Sequence, residues 1–268
     1  MVFWYDGSLV EGNTLAIAID DPGLLYGATV FTTLRVYGQS LEHVLTNWTG
    51  HCDRLLCSLQ AFGWQQPDWK RLRQGARLLM QHFPVLRITL FPDGREWIIG
   101  RALPVDLANR QKYGVTACVV SESQFNRSLA CYKTGNYLSA WLAQKIAQQQ
   151  LAQEAILVDV RSGNWLETST GNLWGWQDGC WWTPPIAAGI LAGTVRSQLI
   201  NWLHQDIIVR EEPWHYELID GFEAIAYTNS IVEIIPIHTI IQQQTQRHYN
   251  PHHPAIQQLK NLFSPTNT

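Results

Sequence analysis

The sequence predicts an α+β protein of two domains, and three observations carry that prediction. Strand-like and helix-like segments follow one another without the regular strand–helix–strand alternation of a doubly wound sheet. Residues 103–114 (LPVDLANRQKYG) lose all periodicity, which marks a connector over 105–114 between a domain at 1–104 and another at 115–268. A chain of 268 residues, 46% hydrophobic, is also long enough to bury one large or two medium cores.

In the first domain, Thr29–Tyr37 (TVFTTLRVY) is β-branched and aromatic and reads as a strand turned by Gly38-Gln39-Ser40. Between His43 and Phe62 the apolar residues Leu55, Leu56, Leu59 and Phe62 recur at helical spacing, and a second amphipathic helix is predicted over Trp69–Phe83. VLRITLF and REWIIG flank Pro92-Asp93-Gly94, the chemistry of a hairpin turn. In the second domain, strands are predicted at Val115–Val120, AILVDV, NLWGW, CWWT, DIIVRE, AIAYTN and VEIIPIHTI. Helices are predicted over Tyr137–Gln150 and from Thr194 through TVRSQLINWLH.

Composition excludes several classes. Charged residues make up 15% of the chain, against about 25% in ordinary soluble domains. The net charge of -3 gives no electrostatic case for nucleic acid. No apolar run approaches the roughly 18 residues of a membrane span. Met1–Asp6 lacks the basic and apolar regions of a secretory leader, so a cytoplasmic location is expected, and the glycosylation matches at Asn47-Trp48-Thr49 and Asn126-Arg127-Ser128 read as chance. Five cysteines, none in a CxxC pair, read as buried thiols. The histidines of HYNPHHP have no nearby cysteine or carboxylate to complete a ligand set, so no metal is expected there.

Lysine is scarce: Lys70, Lys112, Lys133, Lys145 and Lys260 are the full set. Four of them lie on amphipathic helices, in the connector or near the tail and read as solvated. Lys133, in CYKTGNYL, stands among tyrosines and small residues, where partial desolvation suits covalent chemistry; a structural lysine is the plain alternative. Glu167 follows an apolar pair and precedes the small run Thr168-Ser169-Thr170-Gly171. It reads either as a strand end with capping hydroxyls or as a carboxylate facing a cationic heterocycle, with the small residues allowing close approach. Ala188–Arg196 places Gly193 at the start of a helix, a cradle for phosphate, although many helices begin after glycine.

Lysine, carboxylate and anion cradle, in that order, match the three grips on pyridoxal 5'-phosphate. With them the sequence resembles, from about Phe3 to Phe263, the class IV (fold type IV) pyridoxal-phosphate family of branched-chain aminotransferases, D-amino-acid aminotransferases and 4-amino-4-deoxychorismate lyases. The resemblance implies a D-amino-acid aminotransferase-like fold, with a smaller N-terminal and a larger C-terminal domain and the cofactor between them. It implies that Lys133 is the Schiff-base lysine and Glu167 the ring-nitrogen partner. His51-Cys52-Asp53-Arg54-Leu55 is similar to the family's HxxRL segment, which gives Arg54 a phosphate-binding role. Leu191, Gly193 and Thr194 match the cradle, with Leu191 against the ring, and Ser230 falls near a further phosphate-side hydroxyl. A homodimer acting on a small-molecule substrate is implied as well.

Within the family, Val30–Val36 resembles the FTT-x-R-V strand of the lyases, where branched-chain enzymes carry phenylalanine-glutamate-glycine. Alternation puts Phe31 and Thr33 on one face, and with that face towards substrate Thr33 becomes a candidate proton donor or carboxylate contact; a threonine present for β propensity is the plain alternative. Tyr227-Thr228-Asn229-Ser230 is also closer to the lyases, and Phe91-Pro92-Asp93 occupies the hairpin where D-amino-acid enzymes place an arginine. Val195 after Thr194, Pro22 in Asp21-Pro22-Gly23, and Gly27-Ala28-Thr29 depart from the usual pattern. The leading expectation is therefore a lyase forming 4-aminobenzoate and pyruvate for folate synthesis. A class IV aminotransferase acting on branched-chain or related amino acids is the alternative, and a non-catalytic relative that keeps the fold is a third reading.

Overall fold

A computed structural model describes residues 2–125, 128–204 and 207–264; Asn126 and Arg127 of the second glycosylation match and Asp206 of the DIIVRE strand lie outside the described residues. The chain divides into two compact units, one of Met1–Pro104 with Tyr132–Asn136 and one of Val105–Cys131 with Tyr137–Asn267.

The first unit contains β1 (Val2–Tyr5), β2 (Ser8–Glu11), α1 (Pro22–Leu25), β3 (Val30–Arg35), α2 (Trp48–Phe62), α3 (Trp69–Leu79), β4 (Val85–Leu90) and β5 (Glu96–Arg101). Its strands form one antiparallel sheet in the order β2-β1-β5-β4-β3. The β1–β2 hairpin turns on Asp6 and Gly7, both with positive φ (42° and 85°), the pairing an Asp-Gly turn requires. The first long helix begins at Trp48 rather than near His43, because Asn47 takes a left-handed conformation and its side chain accepts the Gly50 N–H. Asp68 caps α3 through the amides of Lys70 and Arg71. Helices α2 and α3 cover one sheet face, burying Val30, Leu34, Leu55, Leu59, Leu72, Leu86, Ile88 and Ile98. Gly75 lets α3 approach that face: a Cβ there would meet the Trp4 ring at 2.4 Å. Glu96, fully buried, accepts the Trp4 indole N–H, the Gly7 amide and the Arg71 guanidinium.

The second unit contains α4 (Leu107–Tyr113), β6 (Val115–Val120), α5 (Leu138–Gln149), β7 (Glu154–Val158), β8 (Trp165–Thr168), β9 (Asn172–Gln177), β10 (Cys180–Thr183), α6 (Thr194–Leu203), β11 (Val209–Glu211), α7 (Tyr216–Asp220), β12 (Ala224–Asn229), β13 (Glu233–Gln242), β14 (Thr245–His248) and α8 (Pro254–Asn261). Its strands run in the order β11-β10-β9-β12-β13-β6-β7-β8, and β8 pairs back onto β9, so six of them close into a barrel. The closing contact is one residue pair, Glu167 with Asn172. Trp174, Trp181 and Trp214 are among the largest fully buried side chains, and Trp174 and Trp176 both meet Trp181 edge-on. Packing of the β9–β10 region thus takes up several of the chain's 13 tryptophans.

Three sequence expectations are corrected here. Residues 105–114, read as a connector without periodicity, carry α4. That helix buries little beyond Leu107, so it leaves no periodic apolar signal; it is held by an Arg110–Asp106 ion pair and by Gln111 Nε2 donating to the Val232 carbonyl. Lys260, read as solvated, is half-buried on α8 and donates to the Gln111 carbonyl at 2.8 Å, and desolvation draws its pKa down. The cysteines are all free thiols, but Cys57 and Cys131 are exposed rather than buried. No helix among the described residues is long and apolar enough to cross a membrane.

Candidate active site

Lys133 reaches its place through the backbone. Its carbonyl accepts the Phe31 amide at 2.8 Å, Thr134 bridges Val30, and the Gly135 amide donates to the Thr29 carbonyl, so the segment lies along the outer side of β3. The Lys133 ammonium stands 4.8 Å from the Phe31 ring centre, and the Arg87 guanidinium stacks on the same ring at 3.7 Å. Arg87 is the register partner of Thr33. Phe31, Thr33 and Arg87 therefore share the sheet face opposite the helices, the face expected to meet substrate.

The neighbouring Thr32 points the other way and is fully buried. Its hydroxyl accepts from Arg54 Nη2 at 2.7 Å and lies 2.5 Å from His51 Nδ1. A hydroxyl that accepts the Arg54 N–H donates its own proton to Nδ1, which makes His51 a neutral Nε2–H imidazole. Burial lowers the His51 pKa well below its ordinary value, and the positive charges of Arg54 and Lys133 add to that. Arg54 is thus not the helix-surface arginine its position in α2 suggests; Thr32 holds it.

In the second unit, Glu167 is 4% exposed, and one carboxylate oxygen accepts the Leu191 amide at 3.1 Å and the Asn172 amide at 3.5 Å. Asn172 also donates to the Leu191 carbonyl at 2.9 Å. Gly193 caps α6 without a side chain, and a Cβ there would meet Asn172 Oδ1 at 2.0 Å. At the first turn of α6 the Thr194 and Ser230 hydroxyls lie 2.9 Å apart. Glu167, Leu191, Gly193, Thr194 and Ser230 are accordingly joined through Asn172 and the start of α6, while Lys133, Arg54 and Thr33 belong to the first unit.

Three features escaped the sequence reading. The small hydroxyls after Glu167, read as leaving room for a heterocycle, instead turn towards Glu154: Ser169 and Thr170 both donate to its carboxylate. Arg87 lay unremarked inside a strand; its pairing with Thr33 was the available signal. Asp21-Pro22 is the cap of α1, with Asp21 bonded to Gly23 N and paired with Arg95 at 2.5 Å.

A family model described as amino-transferase class IV matches residues 29–240. The branched-chain-amino-acid aminotransferase of Escherichia coli K12 is 25% identical over 263 residues, covering 88% of this chain and 84% of its own length. A hypothetical aminotransferase from Mycobacterium tuberculosis, solved in a form bound to pyridoxal phosphate, superposes with a TM-score of 0.83 at 18% identity, covering all of both chains. A Legionella pneumophila protein named provisionally as a 4-amino-4-deoxychorismate lyase superposes with a TM-score of 0.78 at 21% identity, covering 93% of this chain and 95% of its own.

Proposed function

We propose that this chain, which belongs to the class IV amino-transferase family and has its fold type IV architecture, is a pyridoxal-phosphate enzyme that converts 4-amino-4-deoxychorismate into 4-aminobenzoate and pyruvate. The observation that carries the lyase reading is the substrate-side face of β3, where Thr33 stands beside Arg87 and Phe31 beside Lys133. That face carries the Thr33 hydroxyl, at the position of the glycine in the branched-chain pattern, beside the Arg87 cation, and it suits an anionic substrate better than an aliphatic one.

The donor set fits the cofactor. Glu167 is a buried carboxylate fixed by neutral donors and suited to accept a ring N–H, and the first turn of α6 offers amides and the Thr194 hydroxyl to a phosphate, with the Ser230 hydroxyl beside it. When bound, pyridoxal phosphate supplies an aldehyde for the substrate amine and a ring that stores an electron pair.

The rest falls to the chain. Lys133 Nζ would hold the cofactor's aldehyde, and as a free amine would take the proton from the substrate carbon that bears the amino group. Glu167 keeps a proton on the ring nitrogen. Arg54, Thr194, Ser230 and the amides after Gly193 would hold the phosphate, and Leu191 would pack against the ring. Thr33 gives a proton to the leaving enolpyruvate oxygen as the C–O bond breaks, or holds a substrate carboxylate, and Arg87 meets a carboxylate by charge. A homodimer, in keeping with the family, completes the reading.

The likeness to a branched-chain enzyme favours a second reading, amino transfer to a branched-chain or related keto acid. Incubating the cofactor-loaded protein with aminodeoxychorismate, and separately with leucine and 2-oxoglutarate, separates the two. Equal amounts of 4-aminobenzoate and pyruvate are expected. Amino transfer without 4-aminobenzoate overturns the lyase assignment.

A further inference from the structure

Glu154 is a buried carboxylate that no step above uses. It opens β7, is 2% exposed, and receives three hydrogen bonds, from the Ser169 and Thr170 hydroxyls and from the Ala155 amide. Burial pushes its carboxyl upward, while the two hydroxyls, the Ala155 amide and the Arg110 guanidinium pull it back. Withdrawing a carboxylate from water costs free energy that its hydrogen bonds offset only in part.

What they hold is the turn from Thr168 to Gly171. Inside it the Gly171 amide donates to Thr168 Oγ1 at 2.9 Å and the Thr168 amide to the Gly171 carbonyl at 2.8 Å. Outside it the Ser169 amide donates to the Ala155 carbonyl, Tyr137 Oη to the Ser169 carbonyl at 2.9 Å, and Asn229 Nδ2 to the Thr170 carbonyl at 3.3 Å. Gly171 admits no side chain, because a Cβ would meet the Thr228 carbonyl oxygen at 2.3 Å. Glu167 and Asn172, the residues on either side of this turn, are the pair that closes the barrel. A shift of the turn therefore moves the Glu167 carboxylate relative to Asn172 and Leu191.

We propose that Glu154 is a positioning residue for Glu167: by holding the Ser169 and Thr170 hydroxyls it fixes the turn that sets where the Glu167 carboxylate stands. The inference rests on the reading of Glu167 as partner of the cofactor's ring nitrogen.

Two measurements test it in the full-length protein. The first is hydrogen exchange of the 168–172 amides without cofactor. The second is the affinity for pyridoxal phosphate and for its analogue with a C–H in place of the ring nitrogen. In Glu154→Ala, exchange in the turn accelerates and affinity for pyridoxal phosphate falls about tenfold, the scale of one lost hydrogen bond to a charged group. Affinity for the analogue stays the same, since Glu167 has nothing to meet on it. Glu154→Gln, which keeps one acceptor oxygen, falls between.

The Ser169→Ala/Thr170→Val double variant keeps the carboxylate, reproduces the Glu154→Ala result and adds nothing to it when combined; it also carries the test should Glu154→Ala not fold. Equal losses for both ligands, an unchanged turn, or additive effects overturn the positioning role. A wild-type protein that binds pyridoxal phosphate and the analogue alike overturns the Glu167 reading, and this inference with it.

Discussion

Replacing Thr32 with valine keeps the size and branching of a residue set among Val30, Leu34 and the helices, and removes one oxygen. That oxygen accepts from Arg54 at 2.7 Å and serves His51 Nδ1 at 2.5 Å. A hydrogen bond to a charged group contributes about 1.5–3 kcal/mol and a neutral one about 0.5–1.5, so Thr32→Val is expected to lose roughly 2–4 kcal/mol. With a urea slope of about 2 kcal/mol per molar, the unfolding midpoint moves down by roughly 1–2 M, and the weakened hold on Arg54 lowers cofactor affinity alongside it. Thr32→Ser, which keeps the hydroxyl and drops one methyl, loses only about 1 kcal/mol. Thr33→Val, one residue away on the opposite face, leaves the midpoint nearly unchanged while reducing turnover. Urea titration by circular dichroism and cofactor titration by absorbance read all three. A Thr32→Val midpoint equal to that of Thr32→Ser would refute the reasoning.

The folded pKa of His51 lies well below its ordinary value of about 6.5, so stability is fully present above that pH. As pH falls below it the unfolded chain takes a proton that the folded protein refuses, and unfolding free energy drops by up to about 1.4 kcal/mol per pH unit; His51→Gln should flatten that slope in urea titrations from pH 7.5 to 5.5. Gly75→Ala drives a methyl into the Trp4 ring and should cost about 1–3 kcal/mol, read as a lowered Tm without change in cofactor affinity. Glu167→Ala should still bind pyridoxal phosphate by absorbance but turn over at least about a hundredfold more slowly, since removing an electrostatic partner of the reacting charge costs on that scale. Borohydride reduction of the loaded enzyme should label Lys133; label on half-buried Lys260 instead would displace Lys133 from its role.

Legibility followed the reach of each interaction. The β4–β5 hairpin was readable because Pro92-Asp93-Gly94 and the flanking β-branched residues are local signals. The β1–β2 hairpin had the same kind of signal in Asp6-Gly7 and was overlooked. Helix α4 was not readable, because only Leu107 on it is buried and its long-range anchor is the single contact of Gln111 with the Val232 carbonyl. Alternation along β3 separates Thr32 from Thr33, but only the packing of α2 shows that Thr32 is the buried one. Nothing in the sequence singles out Glu154 at the head of β7; its burial depends on the β8–β9 turn folding over it.

The segment carrying Lys133 has a consequence for the solution behaviour of the molecule. Strand β3 ends its sheet, six residues long and rich in β-branched and aromatic side chains, the kind of free ladder that recruits a strand from another molecule. Residues 133–135 occupy part of that ladder through the amides of Phe31 and Gly135. The stretch that presents the reactive amine is therefore also a guard against self-association. Changes that loosen it should show first as aggregation on storage or mild heating, before any loss of secondary structure, and bound cofactor should suppress it.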